Sequence, residues 1–226
     1  MATVSDLRCM FEEDQEARGH AHHLTGPSIM LAIAVLRRHI KGENLAILCG
    51  DLLDFRPTYK AYFSAENRAS ALERLLGADA MPGRPYGYYL DMLLTSKTTI
   101  LLPYNIDQHY LLFEVVLRSD RGRLIKIWDG ANLWAKGDPR KREEVKTLVD
   151  VFYSGDTSVP VYVGEKGDPS YSQCHGAGAF LFLSMCYRVL GLRPQGWGPH
   201  DEAVARSFLW TCILNGSMGK VPRVKL

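Results

Sequence analysis

Three short runs of strand-forming residues follow one another between positions 98 and 128, each bounded by polar or turn-forming residues. Thr98 to Leu102, Tyr110 to Leu117 and Leu124 to Trp128 are rich in branched and aromatic side chains and have the length of strands. Arg118-Ser119-Asp120-Arg121-Gly122-Arg123 separates the last two, and its polarity and glycine predict that they pair as a hairpin. Apolar spacing predicts helices on either side. Ile29 to Ile40 is one, built on Ile29, Leu31, Ile33, Val35 and Leu36, and Ala65 to Leu76 is another, ending at Gly77. Between them Asn44 to Phe55 suits a buried strand, and Met81 to Gly87 is a loop by composition. Asp138 as cap and Pro139 in the first turn open a helix that should bury Val145, Leu148, Val149 and Phe152 and expose Arg140, Lys141 and Arg142. Gly176 to Tyr187 is too long and too apolar for a surface turn and predicts a buried helix ending near Gly191. A last helix is expected over Glu202 to Leu214.

Composition narrows the class. At 226 residues and 46% hydrophobic, the chain can bury a substantial core. A single domain over residues 24–215 is expected, with a polar lead-in at 1–23 and a basic tail at 216–226. The net charge of +2 is too small to make nucleic acid the main partner. The longest apolar stretch, Ala177 to Leu183, is far below the roughly 20 residues that span a bilayer, so no membrane partner is expected. The first twenty residues are charged and lack an apolar core, and the five cysteines fall at irregular spacing. Both features predict a soluble intracellular protein, in cytoplasm or nucleus, rather than a secreted disulfide framework. His20, His22 and His23 have no cysteine or carboxylate partners at a ligand spacing, so no metal is expected.

The candidate chemistry lies in an ordered trio. His109 opens the second strand run, Asp129 closes the third, and the predicted hairpin brings both to one edge of the sheet. Cys174 precedes the glycine-started apolar helix, after a loop that runs from Gly164 to Gln173. A helix N-terminus offers free N–H groups and a positive dipole end that stabilise a thiolate, lowering a cysteine pKa into a range of roughly 3.5 to 7.5. The same amides can hold a developing oxyanion. Cys49, Cys186 and Cys212, by contrast, sit among aliphatic or aromatic neighbours and read as buried hydrophobes. His175 is a poor base for Cys174, because chain neighbours point about 100° apart on a helix and to opposite faces of a strand.

Pro103-x-Asn105 before His109, the pair Trp128-Asp129 at the end of the next strand, and a cysteine opening a hydrophobic helix resemble the SUMO-specific, Ulp-type cysteine proteases, in the clan of the adenovirus protease and the YopJ-type effectors. Leu24 to Ile29 falls where that family starts an early helix. The resemblance implies an α+β, papain-like cysteine peptidase architecture, a central mixed β-sheet packed between helices. It also implies a catalytic triad of His109 as general base, Asp129 as its orienter and Cys174 as nucleophile. The expected reaction is hydrolysis of a peptide or isopeptide bond at the C-terminus of a ubiquitin-like modifier, with no cofactor. The family's oxyanion glutamine lies six residues before the cysteine, where this chain has Asp168, so Gln173 or backbone amides are expected in that role. A charge there, about 5 Å from the oxyanion, would cost about 3 kcal/mol at an effective dielectric near 20. His175 stands between the cysteine and the family's glycine, and Tyr110 and His23 match the two tryptophans that roof its substrate tunnel. Two alternatives follow. One is a catalytically weak or inactive protease-like binding module, favoured by Asp168 and His175; the other is an acyltransferase using the same triad, for which no basic cofactor pocket is legible.

Overall fold

The computed structural model describes residues 26–41, 44–48, 95–106, 109–118, 122–129, 137–164, 177–192 and 197–222. In chain order these form α1 (Gly26–Arg37), β1 (Leu45–Ile47), β2 (Thr99–Ile106), β3 (His109–Val116), β4 (Leu124–Trp128), a 3-10 turn (Pro139–Lys141), α2 (Glu143–Tyr153), β5 (Val161–Val163), α3 (Ala177–Val189), a second 3-10 turn (Pro199–Asp201) and α4 (Glu202–Asn215). They gather into two compact units, one of Met1–His39 with Gly167–Leu226 and one of Ile40–Lys166. The helix expected over Ala65 to Leu76 and the loop at Met81 to Gly87 lie outside the described residues.

Among the described residues the second unit holds a mixed five-stranded sheet in the order β1-β2-β3-β4-β5. The hairpin forms as predicted, with Val116 opposite Leu124 and Leu112 opposite Trp128. β1 and β5 are parallel to their neighbours, β2 and β4. One face carries Ile100, Leu102, Leu111, Phe113, Val115, Ile125 and Ile127, and it closes a core with Val145, Leu148, Val149 and Phe152 of α2. The other face of the central strands is buried too, through Tyr110, Leu112, Glu114, Lys126 and Trp128. At the turn end of the hairpin the Tyr153 hydroxyl lies 2.9 Å from the Val116 carbonyl and 2.8 Å from that of Leu124, so α2 holds the last strand pair closed. Burial pushes the Tyr153 phenol above its usual range.

Several boundaries differ from the sequence expectation: the first helix spans Gly26–Arg37 rather than Ile29 to Ile40, the second strand of the hairpin region starts and ends one residue earlier, at His109 and Val116, and two further differences have a local cause. β2 runs four residues beyond Leu102, through Pro103, which pairs with Leu112. Among the described residues the β1 pairing ends at Leu101, so Pro103 has a partner strand on one side only, where proline is tolerated. Asp138 does cap, its Oδ1 accepting from the Arg140 amide at 3.0 Å, but the helix it starts stops after one 3-10 turn. Arg142 is extended, with ψ of 134°, and α2 begins afresh at Glu143. The four apolar positions expected on this helix are all buried, and the three basic residues are exposed.

The first unit is helical. Ala177 through Tyr187 are buried without a break, so α3 is covered on all sides. Its C-terminus is closed by Gly191 in the left-handed region, at φ of 65°, with the Leu192 amide donating to the Tyr187 carbonyl. α1 and α4 pack on it and on each other. The contact includes Phe182 against Phe208 with ring centroids 5.9 Å apart. No helix among the described residues is long and apolar enough to cross a membrane.

Candidate active site

His109 is the first residue of β3, and its register partner in β2 is Ile106, with only positions 107 and 108 between them in the chain. Asp129 follows the last residue of β4 directly and is half-buried. The β3–β4 register ends at Leu112 opposite Trp128. One step further places position 129 opposite Leu111 and therefore diagonal to position 109. Counting by two along β3 puts 109 and 111 on one face. Diagonal neighbours across an antiparallel pair are about 7–8 Å apart, a span that aromatic and long side chains bridge.

The strand that carries His109 is held firmly. Tyr110, Leu111, Leu112 and Phe113 are at most 1% exposed, so the backbone leading away from His109 is anchored on both faces. Tyr110, matched by resemblance to a tunnel wall, is itself fully buried. His23, Asp168, Gln173, Cys174 and His175 lie outside the described residues.

A feature not expected from the sequence adjoins Asp129. Glu114 and Lys126 occupy one register pair, both nearly inaccessible at 4% and 7% exposed. The Trp128 indole N–H donates to Glu114 Oε2 at 3.0 Å, and the Lys126 ammonium sits 3.7 Å from the centre of the Trp128 ring. The signal was present in the sequence, since a hairpin that pairs Leu112 with Trp128 must also pair the lone acid of one strand with the lone base of the other.

Two other cysteines are described, and both are buried thiols. Burial pushes Cys186 well above its usual range, with Cys212 beside it adding to the effect, and burial raises Cys212 as well. Neither should form a thiolate near neutral pH. A limiting dose of iodoacetamide at pH 6 is therefore expected to modify Cys174 ahead of Cys186 and Cys212. Peptide mapping that finds those two labelled and Cys174 untouched would remove Cys174 as the nucleophile.

No family model and no curated protein matches the sequence. Solved structures do match. The Chaetomium thermophilum Ulp1-like SUMO protease catalytic domain aligns with a TM-score of 0.58 at 17% identity, over 88% of this chain and 75% of its own. SUMO protease Ulp1 with its catalytic cysteine oxidised to a sulfinic acid aligns at 0.60 and 12% identity, over 96% and 85%. The form of Ulp1 oxidised to the sulfonic acid gives 0.58 and 12%, over 87% and 80%. The chain has the α+β, papain-like fold of Ulp1-like SUMO protease catalytic domains, with a mixed sheet and helices.

Proposed function

We propose that the chain is a cysteine peptidase, with residues 24–215 as its peptidase domain, that hydrolyses a peptide or isopeptide bond at the C-terminus of a ubiquitin-like modifier. The observation that carries this reading is the β3–β4 register, which, continued one step past Trp128, would bring positions 109 and 129 to diagonal places at one end of the sheet, in a chain with the fold of SUMO proteases. In the reaction Cys174 Sγ attacks the scissile carbonyl while His109 takes the thiol proton. His109 then gives that proton to the leaving amine, and Asp129 holds the imidazole in the competent tautomer. Water cleaves the resulting thioester, with His109 again as base, and the thiol is restored. Gln173 and the amides at the start of the buried helix supply the oxyanion donors, and His23 borders the substrate's C-terminal residues, whereas Tyr110, fully buried, acts from beneath by fixing the strand that starts at His109. No metal or organic cofactor enters these steps, and the thiol chemistry suits the reducing interior of a cell.

A panel of ubiquitin-like modifiers carrying C-terminal propargylamide tests the reading. Wild type should form a covalent adduct with at least one member, detectable as a mass shift on denaturing gels, and Cys174→Ala with none. A second reading rests on Asp168, which stands where the family has its oxyanion glutamine. If no probe reacts and no fluorogenic modifier is hydrolysed, while one still binds reversibly, the protein is a docking module on a peptidase fold.

A further inference from the structure

We propose that Glu114 is a positioning residue for Asp129: its buried carboxylate clamps the Trp128 indole and so fixes the backbone that presents the next residue. The inference rests on the peptidase reading above, and it adds a residue that the hairpin's ends do not contain.

The ladder that holds β4 stops just short of Asp129. On the β3 side the last pair is Leu112 with Trp128. On the β5 side it is Ile127 with Val163, followed by the Gly164 amide donating to the Ile127 carbonyl at 2.9 Å. Asp129 thus lies one residue past the regular pairing on the β3 side and two past it on the β5 side, directly after Trp128. The Trp128 side chain is 4% exposed and held at two points, by the 3.0 Å hydrogen bond to Glu114 and by the ammonium of Lys126 over its ring. The hydrogen bond is diagonal, from β4 back to β3, so it ties the strand that leads into Asp129 to the strand that begins with His109.

Stability alone does not require a carboxylate and an ammonium at this register position. A buried carboxylate and ammonium are costly to desolvate, and replacing such a pair with apolar residues of similar volume is often neutral or stabilising. On a sheet face whose other members include Tyr110, Leu112 and Trp128, two aliphatic side chains would pack without that cost. What aliphatic residues cannot do is accept the indole proton. A charge-assisted acceptor defines the indole rotamer more tightly than packing does.

The experiment separates the acceptor from the charge. E114Q/K126M removes both charges and leaves a side-chain carbonyl for the indole, whereas E114L/K126M removes the acceptor too. On a cleaved fluorogenic substrate E114L/K126M should lose about tenfold in kcat with KM within about twofold, as expected when a catalytic group is displaced slightly. E114Q/K126M should stay within about threefold of wild type. The His109 imidazole, followed by NMR of its Cε1–H, should titrate about half a unit lower in E114L/K126M and unchanged in E114Q/K126M, because a displaced carboxylate favours the imidazolium less. Trp128→Phe deletes the donor and keeps the Glu114–Lys126 pair, so it should reproduce the shift and carries the test if E114L/K126M does not fold. Matching titrations and matching kcat in the acceptor-free and acceptor-retaining variants would overturn the proposal. The titration also keeps the two ideas apart: absence of turnover in wild type counts against the peptidase reading, whereas an unmoved His109 titration counts against Glu114.

Discussion

His109→Ala should abolish turnover, and Asp129→Asn should lower kcat by about two to four orders of magnitude, with both variants folded. The two losses differ in origin. Without His109 there is no base for the Cys174 thiol and no acid for the leaving amine, so both halves of the reaction stall. Asp129→Asn preserves the side chain's shape but replaces the acceptor that orients the imidazole with a group that can present a donor, favouring the wrong tautomer. Position 129 lies one step past the strand register, diagonal to 109, so the fold around it should be indifferent to the change. Single-turnover kinetics on a modifier with a fluorogenic C-terminal amide, alongside thermal melts, gives the comparison. Wild-type rates in either variant would break the triad assignment.

Phe113→Ala should cost about 3–5 kcal/mol of folding stability, while Phe113→Leu should cost less than about 1.5. Phe113 sits mid-way along the central strand, between Leu102 on β2 and Ile127 on β4, and is 1% exposed. Its ring lies 5.6 Å from that of Tyr104, tilted by 48°, within the core that α2 closes. Truncation removes most of the ring's buried apolar surface and leaves a cavity that a fully paired central strand cannot collapse to fill. Urea unfolding at constant m-value measures the difference. A midpoint within about 1 kcal/mol of wild type would mean that the sheet core is not the unit's main source of stability.

Much of this arrangement was legible along the chain, element by element. The Leu124 to Trp128 strand emerged with the boundaries expected for it, because a polar connection precedes it and Asp-Gly follows. The last helix closes at Gly216 in the left-handed region, one residue past the expected end at Leu214 plus the cap. The stop near Gly191 follows from the same preference. The hairpin was equally legible, since two strand-forming runs around a short polar connection have few alternatives. What stayed hidden depends on partners far away in sequence. Pro103 reads locally as a strand breaker, yet it lies within β2 opposite Leu112, beyond the β1 pairing of the described residues. One helix was expected from Asp138 onward, and Arg142 in extended conformation divides it into two pieces.

The hydrophobic period and the turn residues therefore determined which segments become strands and helices, which faces are apolar, and that His109 and Asp129 stand at one end of a hairpin. Those are local properties, fixed by side-chain alternation and by the φ and ψ that each residue tolerates. The tertiary structure alone decided the strand order, the parallel joining of β1 and β5, and the burial of the sheet face that carries Glu114, Lys126 and Trp128. In an exposed hairpin the same acid and base would be an ordinary solvated cross-strand pair of small effect. Desolvation turns them into a clamp, and burial is set by the whole fold rather than by any one segment of the chain.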